Sequence, residues 1–464
     1  LTNAPATGLL FEAALTGWLV RERSLARVDP GLTTRPRDCL RVPSQNIAAA
    51  PRPGCVAPVQ QPMPLLSSPF SSAALKRLPS LPNLPVLPEA HDEHPLRIAL
   101  VTEYYYPHLG GVCEHVHFFA REARRRGHHV DIITSSIPGA EPQPNVIRIG
   151  RSQPVYCNGS QARVTLGIGL RRQLRRVLHA GRYDIVHVHS PLTPSLPLLA
   201  IEEADCPVIG TFHTYFDKSK GYRLFNDFFQ KRLELLSAAI CVSHSTTVAL
   251  ERYFSAPWQI IPNGIDTDVF HPSVAAPPAI RKDVPSILFL GRFDPRNGLG
   301  TLIDSFRRVK GKQRQAQLVV VGDGPLREHY YKQARGDGDI TFVGAVLEER
   351  PSYYAHSSIY ACPTTKASFG ITLLESMACE TPIVCSDILG FRDVVVNGRE
   401  ALMTPCGDQE ALADTLVQLL DDEELRTRLG TNGRRESLKY SWAAVTSQVL
   451  GVYHDVMGRV AIAS

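Results

Sequence analysis

From Leu96 onward the chain alternates short, uninterrupted apolar runs with longer stretches in which apolar residues recur every three or four positions. Runs such as "LRIALV", "HVDIIT", "DIVHVH" and "PVIGTF" are too short for helices and apolar on both faces, the pattern of strands buried inside a parallel sheet. Between them, "VCEHVHFFAREARRRG", "LRRQLRRVLHAG" and "FNDFFQKRLELLSAA" carry the helical period. The pattern restarts at "SILFLGRF" and runs on through "LGTLIDSFRRVKG", "AQLVVVGDG", "ITFVGAV", "SIYACPT" and "PIVCSD". Alternation of this kind predicts an α/β fold of two Rossmann-like doubly wound domains. They should face a cleft, because each sheet offers its ligand edge at the carboxyl ends of its strands.

Before Leu96 the periodicity is missing. Residues 1–94 are rich in Pro, Ala, Ser and Arg and hold no period of 2 or 3.6, which reads as a disordered extension. The first domain is expected over 95–275 and the second over 284–440, with a hinge near "HPSVAAPPAIRKDVPS". The last helix, "SWAAVTSQVLGVYHDVMG", over 441–458, is a candidate to cross back to the first domain.

Composition narrows the class. With 464 residues, 44% of them apolar, the chain can bury two or three cores. A net charge of +5 is too mild to imply nucleic acid as a partner. The 10 cysteines include no C-x-x-C pair and no zinc-like spacing, which fits a reducing compartment. No run reaches the roughly 18 apolar residues of a membrane span. The N-terminal stretch lacks the basic start of a secretory signal, so a cytoplasmic location is expected.

Candidate chemistry gathers at strand ends. Gly110 and Gly111 lie where the first strand meets its helix, a place where backbone amides can approach a phosphate, although a tight turn also calls for glycine. Gly291, Arg292 and Gly298 repeat the arrangement in the second domain. Arg292 there can meet an anionic ligand as a planar fork or make a rim salt bridge. His213 closes a strand in "GTFHTYFDKS" with Lys218 close behind, a placement that favours a catalytic over a structural histidine. His187 and His189 in "HVHS" are expected on opposite sides of their strand, and so not to share a metal.

In "TTKASFGITLLESMACETPIV", Ser368, Phe369 and Gly370 should form a loop, and Ile371 should open a helix whose free amides suit a diphosphate. Glu375, one turn in, suits a pair of ribose hydroxyls or else compensates the helix dipole. "GLRRQLRRVLHAG" sets Arg171, Arg172, Arg175 and Arg176 in a basic strip beside Leu170, Leu174 and Leu178. That is the form of a helix that meets anionic lipid, or of a solvated helix face. The acidic pair Asp337 and Asp339 and the run Asp421 to Glu424 read as a turn and a helix start, and no metal is expected.

Together these stretches resemble the retaining GT-B glycosyltransferases of family 4, and among them the phosphatidylinositol mannosyltransferases. The resemblance runs from about Leu96 to Val456 and rests on "PHLGGVCEHV", "YCNGSQARV", "HVHSPLTPSLPLLA", "GTFHTYFDKS", "IIPNGID", "LGRFD" and "SFGITLLESMA". It implies a nucleotide-sugar donor, GDP-mannose foremost, a lipid or glycan acceptor, and peripheral attachment to the anionic inner face of the cell membrane. No metal or other cofactor and no nucleic acid is implied. It assigns the reaction centre to Gly110, Gly111 and His213, with Arg292 as the second catalytic group. Donor contacts fall to Gly110, Gly111, Arg292, Asn297, Lys366, Ser368, Phe369, Gly370, Ile371 and Glu375, and acceptor contacts to Lys218, Tyr104 and Asn158.

Two positions depart from the family. A lysine usually follows the strand-end arginine, and here Asn297 stands in its place; the first acid of a two-glutamate motif is replaced by Ala367. The two changes cancel in charge, and Lys366 is expected to take over part of the diphosphate neutralisation. A double displacement would need the lost carboxylate as nucleophile. Front-face substitution, in which the departing diphosphate takes the acceptor's proton, would not. The reading is therefore an active hexosyltransferase. Its alternatives are a UDP-sugar enzyme of polysaccharide or glycolipid assembly and a retired sugar-nucleotide-binding subunit.

Overall fold

The computed structural model describes residues 94–463 except 109, 158, 159 and 314. The extension expected over residues 1–94 lies, His94 aside, outside the described residues, as does Asn158.

The first half of the chain supplies β1 (Arg97–Val101), β2 (His129–Ser135), β3 (Val146–Ile149), β4 (Arg151–Cys157), β5 (Ser160–Leu166), β6 (Ile185–His189), β7 (Val208–Phe212), β8 (Ala238–Cys241) and β9 (Trp258–Ile260). Seven of these join in the order β3-β2-β1-β6-β7-β8-β9, every ladder parallel, while β4 and β5 make a separate antiparallel hairpin. The second half supplies β10 (Ser286–Leu290), β11 (Gln317–Val321), β12 (Ile340–Gly344), β13 (Ile359–Cys362), β14 (Ile383–Ser386) and β15 (Ala401–Thr404). These form a parallel sheet in the order β12-β11-β10-β13-β14-β15. Strand order reverses between β1 and β6 in one sheet and between β10 and β13 in the other. At such a switch point the outgoing loops diverge and open a crevice beyond the strands' carboxyl ends.

Helices cover both faces of each sheet, which is why the strands read as continuous apolar runs: Ile98 to Val101 are wholly inaccessible. The helix Gly111–Arg125 sets Val116, Phe119 and Ala123 into the first core, where they meet Val445, Val449, Tyr453 and Val456 of the final helix, Trp442–Ala463. Arg126 ties the same two helices together, donating to Ser447 Oγ at 2.8 Å and to the Ala443 carbonyl at 2.6 Å. The segment leaving the first sheet and the one returning to it run side by side, with the Ile265 amide donating to the Tyr440 carbonyl at 2.8 Å. Gly264 is needed there, since a Cβ would stand 2.6 Å from the Trp442 indole.

In the second domain Gly298 caps the helix Leu299–Lys312 with φ +73°, and a Cβ there would stand 2.1 Å from the Pro363 carbonyl. A left-handed, side-chain-free residue thus lets the loop after β10 close on the loop after β13. Those are the two loops of that sheet's switch point.

Candidate active site

Between the two switch points lies a cavity of about 280 Å³. Gly111, Glu114, His115 and His213 line it from the first domain, Asn263 and Asp266 from the connecting segment, and Arg350, Ser368 to Ile371 and Glu375 from the second. Three carboxylates therefore face it against one guanidinium, Arg350, the single Lys or Arg of the described lining.

The loop Ser368–Gly370 is held from the opposite domain. The Tyr215 amide donates to Ser368 Oγ at 2.8 Å, and the hydroxyls of Ser243 and Ser245 each donate to the Ser368 carbonyl at 2.6 Å. Phe369 is buried, and Gly370, at φ +101°, sits where a Cβ would stand 2.8 Å from the Phe391 ring. The helix Ile371–Ala378 then begins with its first amides toward this loop.

Glu375, 1% exposed, receives Arg350 Nη1 at 2.6 Å and the Tyr354 hydroxyl at 2.8 Å. Arg350 Nη2 also reaches Glu114 across the cleft at 2.9 Å. Burial pushes the Glu375 carboxyl up to about 7, against the opposing pull of Arg350.

His213, just past the end of β7, is buried with Nε2 hydrogen-bonded to His189 Nδ1 at 3.0 Å. The expectation that His187 and His189 diverge is corrected here. Their rings stack with centroids 4.5 Å apart, because residues two apart on a strand share a face. His187 is spoken for on both sides, by the Tyr453 hydroxyl at 2.6 Å and Thr211 Oγ1 at 2.7 Å. His115 pairs through Nδ1 with Asn263 Oδ1 at 2.9 Å. Burial lowers the pKa of all four imidazoles, His115 to about 4 and His187 to about 3, so they are neutral near pH 7.

Of the other residues singled out in the sequence, Gly111, His213, Ser368, Phe369, Gly370, Ile371 and Glu375 meet in the lining, and the rest of those described lie outside it. Gly110 caps the helix beginning at Gly111. Arg292 is exposed and has no side-chain partner among the described residues; Asn297 Nδ2 donates to its carbonyl at 2.8 Å, bracing the turn. Lys366 pairs with Asp217 of the first domain. Lys218 is exposed, and the Tyr104 hydroxyl accepts from the Arg163 amide at 3.2 Å.

The continuous basic strip is also corrected. Arg171 is paired with Glu202 and Glu203 and Arg175 with Glu203, both acids on the neighbouring helix Leu196–Glu203. Arg172 and Arg176 remain exposed, with no acidic partner among the described residues. Sequence reasoning missed Glu114, His115, Asn263, Arg350 and Trp442. All but Arg350 lie inside quoted stretches, but only packing brings them to one cavity.

Residues 109–269 match the family model described as Glycosyltransferase Family 4, and residues 273–436 match that of Glycosyl transferases group 1. The phosphatidyl-myo-inositol mannosyltransferase of Mycobacterium leprae is 34% identical over 367 residues, covering 78% of this chain and 97% of the relative. That of Mycobacterium tuberculosis is 32% identical over 370 residues, covering 78% and 98%. The chain belongs to the family-4 glycosyltransferases. It is thus a hexosyltransferase of the GT-B fold, with its cavity where the two Rossmann-like domains meet. A D-inositol 3-phosphate glycosyltransferase of Xylanimonas cellulosilytica is 27% identical, covering 75% of this chain and 93% of that protein. Among solved structures, sucrose-phosphate synthase from Thermosynechococcus elongatus superposes with a TM-score of 0.63 at 24% identity, covering 78% of this chain and 99% of that one. A glycosyltransferase from Rickettsia africae gives a TM-score of 0.62 at 17% identity, covering 78% and 99%. These two speak for the fold.

Proposed function

We propose that this chain transfers mannose from GDP-mannose to a phosphatidylinositol-type lipid, with retention at the anomeric carbon, at an anionic membrane surface. The observation that carries the reading is the match to nearly the whole length of proteins named phosphatidyl-myo-inositol mannosyltransferase, 32% and 34% identical over 78% of this chain.

The chemistry follows from the groups around the cavity. In front-face substitution the acceptor hydroxyl bonds to the anomeric carbon on the face from which the diphosphate departs. Its proton passes to a diphosphate oxygen, so no carboxylate nucleophile is required and Ala367 removes no step. The amides of Gly111 and of the start of the helix Ile371–Ala378 offer donors to the diphosphate. Arg292, uncommitted in the structure, supplies a guanidinium to the leaving group, while Asn297 shapes the turn and adds no charge. Lys366 joins the donor only by leaving Asp217. Each Glu375 oxygen accepts one hydrogen bond within the protein and keeps a lone pair for a ribose hydroxyl. Lys218, Tyr104 and Asn158 are assigned to the acceptor. Amides and cations take the charge-balancing role, and the reaction needs no metal in this reading.

Arg172 and Arg176 supply the attraction to anionic lipid. Beside them the end of β5 presents Leu166, 51% exposed, and the loop after it Ile168, 100% exposed, the apolar tip of an interfacial contact. Among the described residues no helix is long and apolar enough to cross a membrane.

A second reading, transfer to a water-soluble inositol phosphate, draws on the likeness to D-inositol 3-phosphate glycosyltransferase. Purified protein is incubated with GDP-mannose, UDP-glucose or UDP-N-acetylglucosamine, each with phosphatidylinositol vesicles or inositol 3-phosphate, and products are identified by mass spectrometry and anomeric NMR. The expected product is α-mannosylated lipid from GDP-mannose alone. Turnover only with a UDP-sugar, or only with the soluble acceptor, overturns the proposal.

A further inference from the structure

His213 reaches the cavity as one member of a stack. Its ring lies 5.3 Å from His189, tilted by 26°, and His189 lies 4.5 Å from His187, tilted by 25°. A hydrogen bond of 3.0 Å joins His189 Nδ1 to His213 Nε2, so one of these nitrogens carries a proton and the other does not. Which one is decided at the far end of the His189 ring. His189 Nε2 has no hydrogen-bond partner, and the residue is 0% exposed. If His213 were the donor, His189 would accept on Nδ1 and its own proton would sit on Nε2, an N–H buried with nothing to receive it. If His189 is the donor, Nε2 is a bare lone pair. Orphaned buried N–H groups are the rarer defect, since an unmet lone pair forfeits less than an unmet proton.

We infer that His189 is a positioning residue: it donates Nδ1–H to His213 Nε2 and thereby fixes His213 as the Nδ1–H tautomer. His213 then presents a hydrogen-bond donor to the cavity, where its Nδ1 has no partner among the described residues. This deepens the reading above. A neutral imidazole whose lone pair is already engaged cannot serve as the general base. It can hold an electronegative oxygen of the sugar or of the departing diphosphate, which leaves the acceptor's proton to the diphosphate itself. His187, saturated on both nitrogens, buttresses the His189 ring and offers it no competing partner.

The same cluster has the spacing of an ion site, with ring nitrogens of His115, His189 and His213 all within 4.8 Å of one another. An ion held between the paired nitrogens would claim both of their lone pairs and drive the His189 proton onto the unpartnered Nε2. That buried, unpartnered proton disfavours an ion there.

The test is the tautomer itself, read by two-bond proton–nitrogen NMR on the full chain labelled with 15N-histidine, with His213 and His189 assigned from single-site variants. Both are expected as Nδ1–H forms at pH 7, unchanged by one equivalent of Zn²⁺. An Nε2–H form of His213 overturns the inference, as does a stoichiometric Zn²⁺ shift of all three rings. The measurement uses the unmodified chain and no substrate, so it stands even if the proposed donor or acceptor is wrong. In kinetics, His189→Leu should lower kcat about ten- to hundredfold with the donor KM little changed, by analogy with other orienting partners. His189→Asn, whose amide N–H falls near the place of Nδ1, should recover most of it. Equal loss in both variants would mean that His189 serves packing alone.

Discussion

Arg350 offers the sharpest test of the cavity, because its effect should depend on pH with a slope the structure sets. Replacing it by Met removes two charge-assisted hydrogen bonds, to Glu375 at 2.6 Å and to Glu114 at 2.9 Å, and leaves Glu375 with the Tyr354 hydroxyl alone. The Glu375 carboxyl, raised to about 7 by burial, binds a proton in the folded chain at pH values where the unfolded chain has lost it. The contribution of Glu375 to the parent's stability should therefore be fullest below about pH 4.5 and be lost as pH rises through 7. Without Arg350 the folded pKa climbs further and Glu375 stays protonated. Below pH 6 both forms hold the neutral acid, and the variant should lose only the hydrogen bonds, about 2 kcal/mol. Above pH 7 only the parent gains from ionising beside Arg350, so the difference should widen by about 1.4 kcal/mol per pH unit. At pH 9 it should reach about 5 kcal/mol, at the upper end for a broken buried ion pair. Urea unfolding at pH 6, 7.5 and 9, followed by circular dichroism, measures the series. In a Glu375→Gln background the slope should vanish. A difference that is flat from pH 7 to 9, or a slope that persists in that background, refutes the account.

Three further expectations follow from the same geometry. His213→Ala and Arg292→Ala should each lower turnover at least about a hundredfold with native circular dichroism, and near-normal turnover in either would move the reaction centre elsewhere. Asp217→Asn frees Lys366 and should tighten donor binding several-fold by calorimetry; an unchanged dissociation constant would remove Lys366 from the donor site. The double change Arg172→Ser with Arg176→Ser should weaken sedimentation with anionic vesicles about ten- to thirtyfold, at up to about 1 kcal/mol per arginine, and salt should weaken the parent likewise. Changing Arg171 and Arg175 instead should mainly cost stability, because they pair with Glu202 and Glu203.

Much of the fold was legible because burial on both faces of a parallel sheet leaves a local trace. "LRIALV" and "SILFLG" could be placed as strands without any knowledge of their neighbours. β3 and β9, incompletely buried at the two edges of the first sheet, and the separate hairpin of β4 and β5 lack the burial on both faces that marks the inner strands, and were not marked in advance. The loop and helix around Ser368 to Glu375 were legible for a similar reason, since glycine placement and helix polarity act over a few residues.

What sequence alone determined were the features that repeat along the chain: two doubly wound halves, the strand-end positions of Gly110, Arg292 and His213, and the loss of acid and lysine at Ala367 and Asn297. Tertiary structure decided everything that depends on a partner distant in sequence. It set Arg350 between Glu114 and Glu375, tied Lys366 to Asp217, took Arg171 and Arg175 out of the basic strip, and gathered His115, His213 and the β6 pair His187 and His189 into one cluster. The physical reason is one of range. Hydrophobic period and backbone conformation are set by neighbours a few positions away, whereas the charge, tautomer and availability of a side chain are set by what the fold brings within about 3 Å of it.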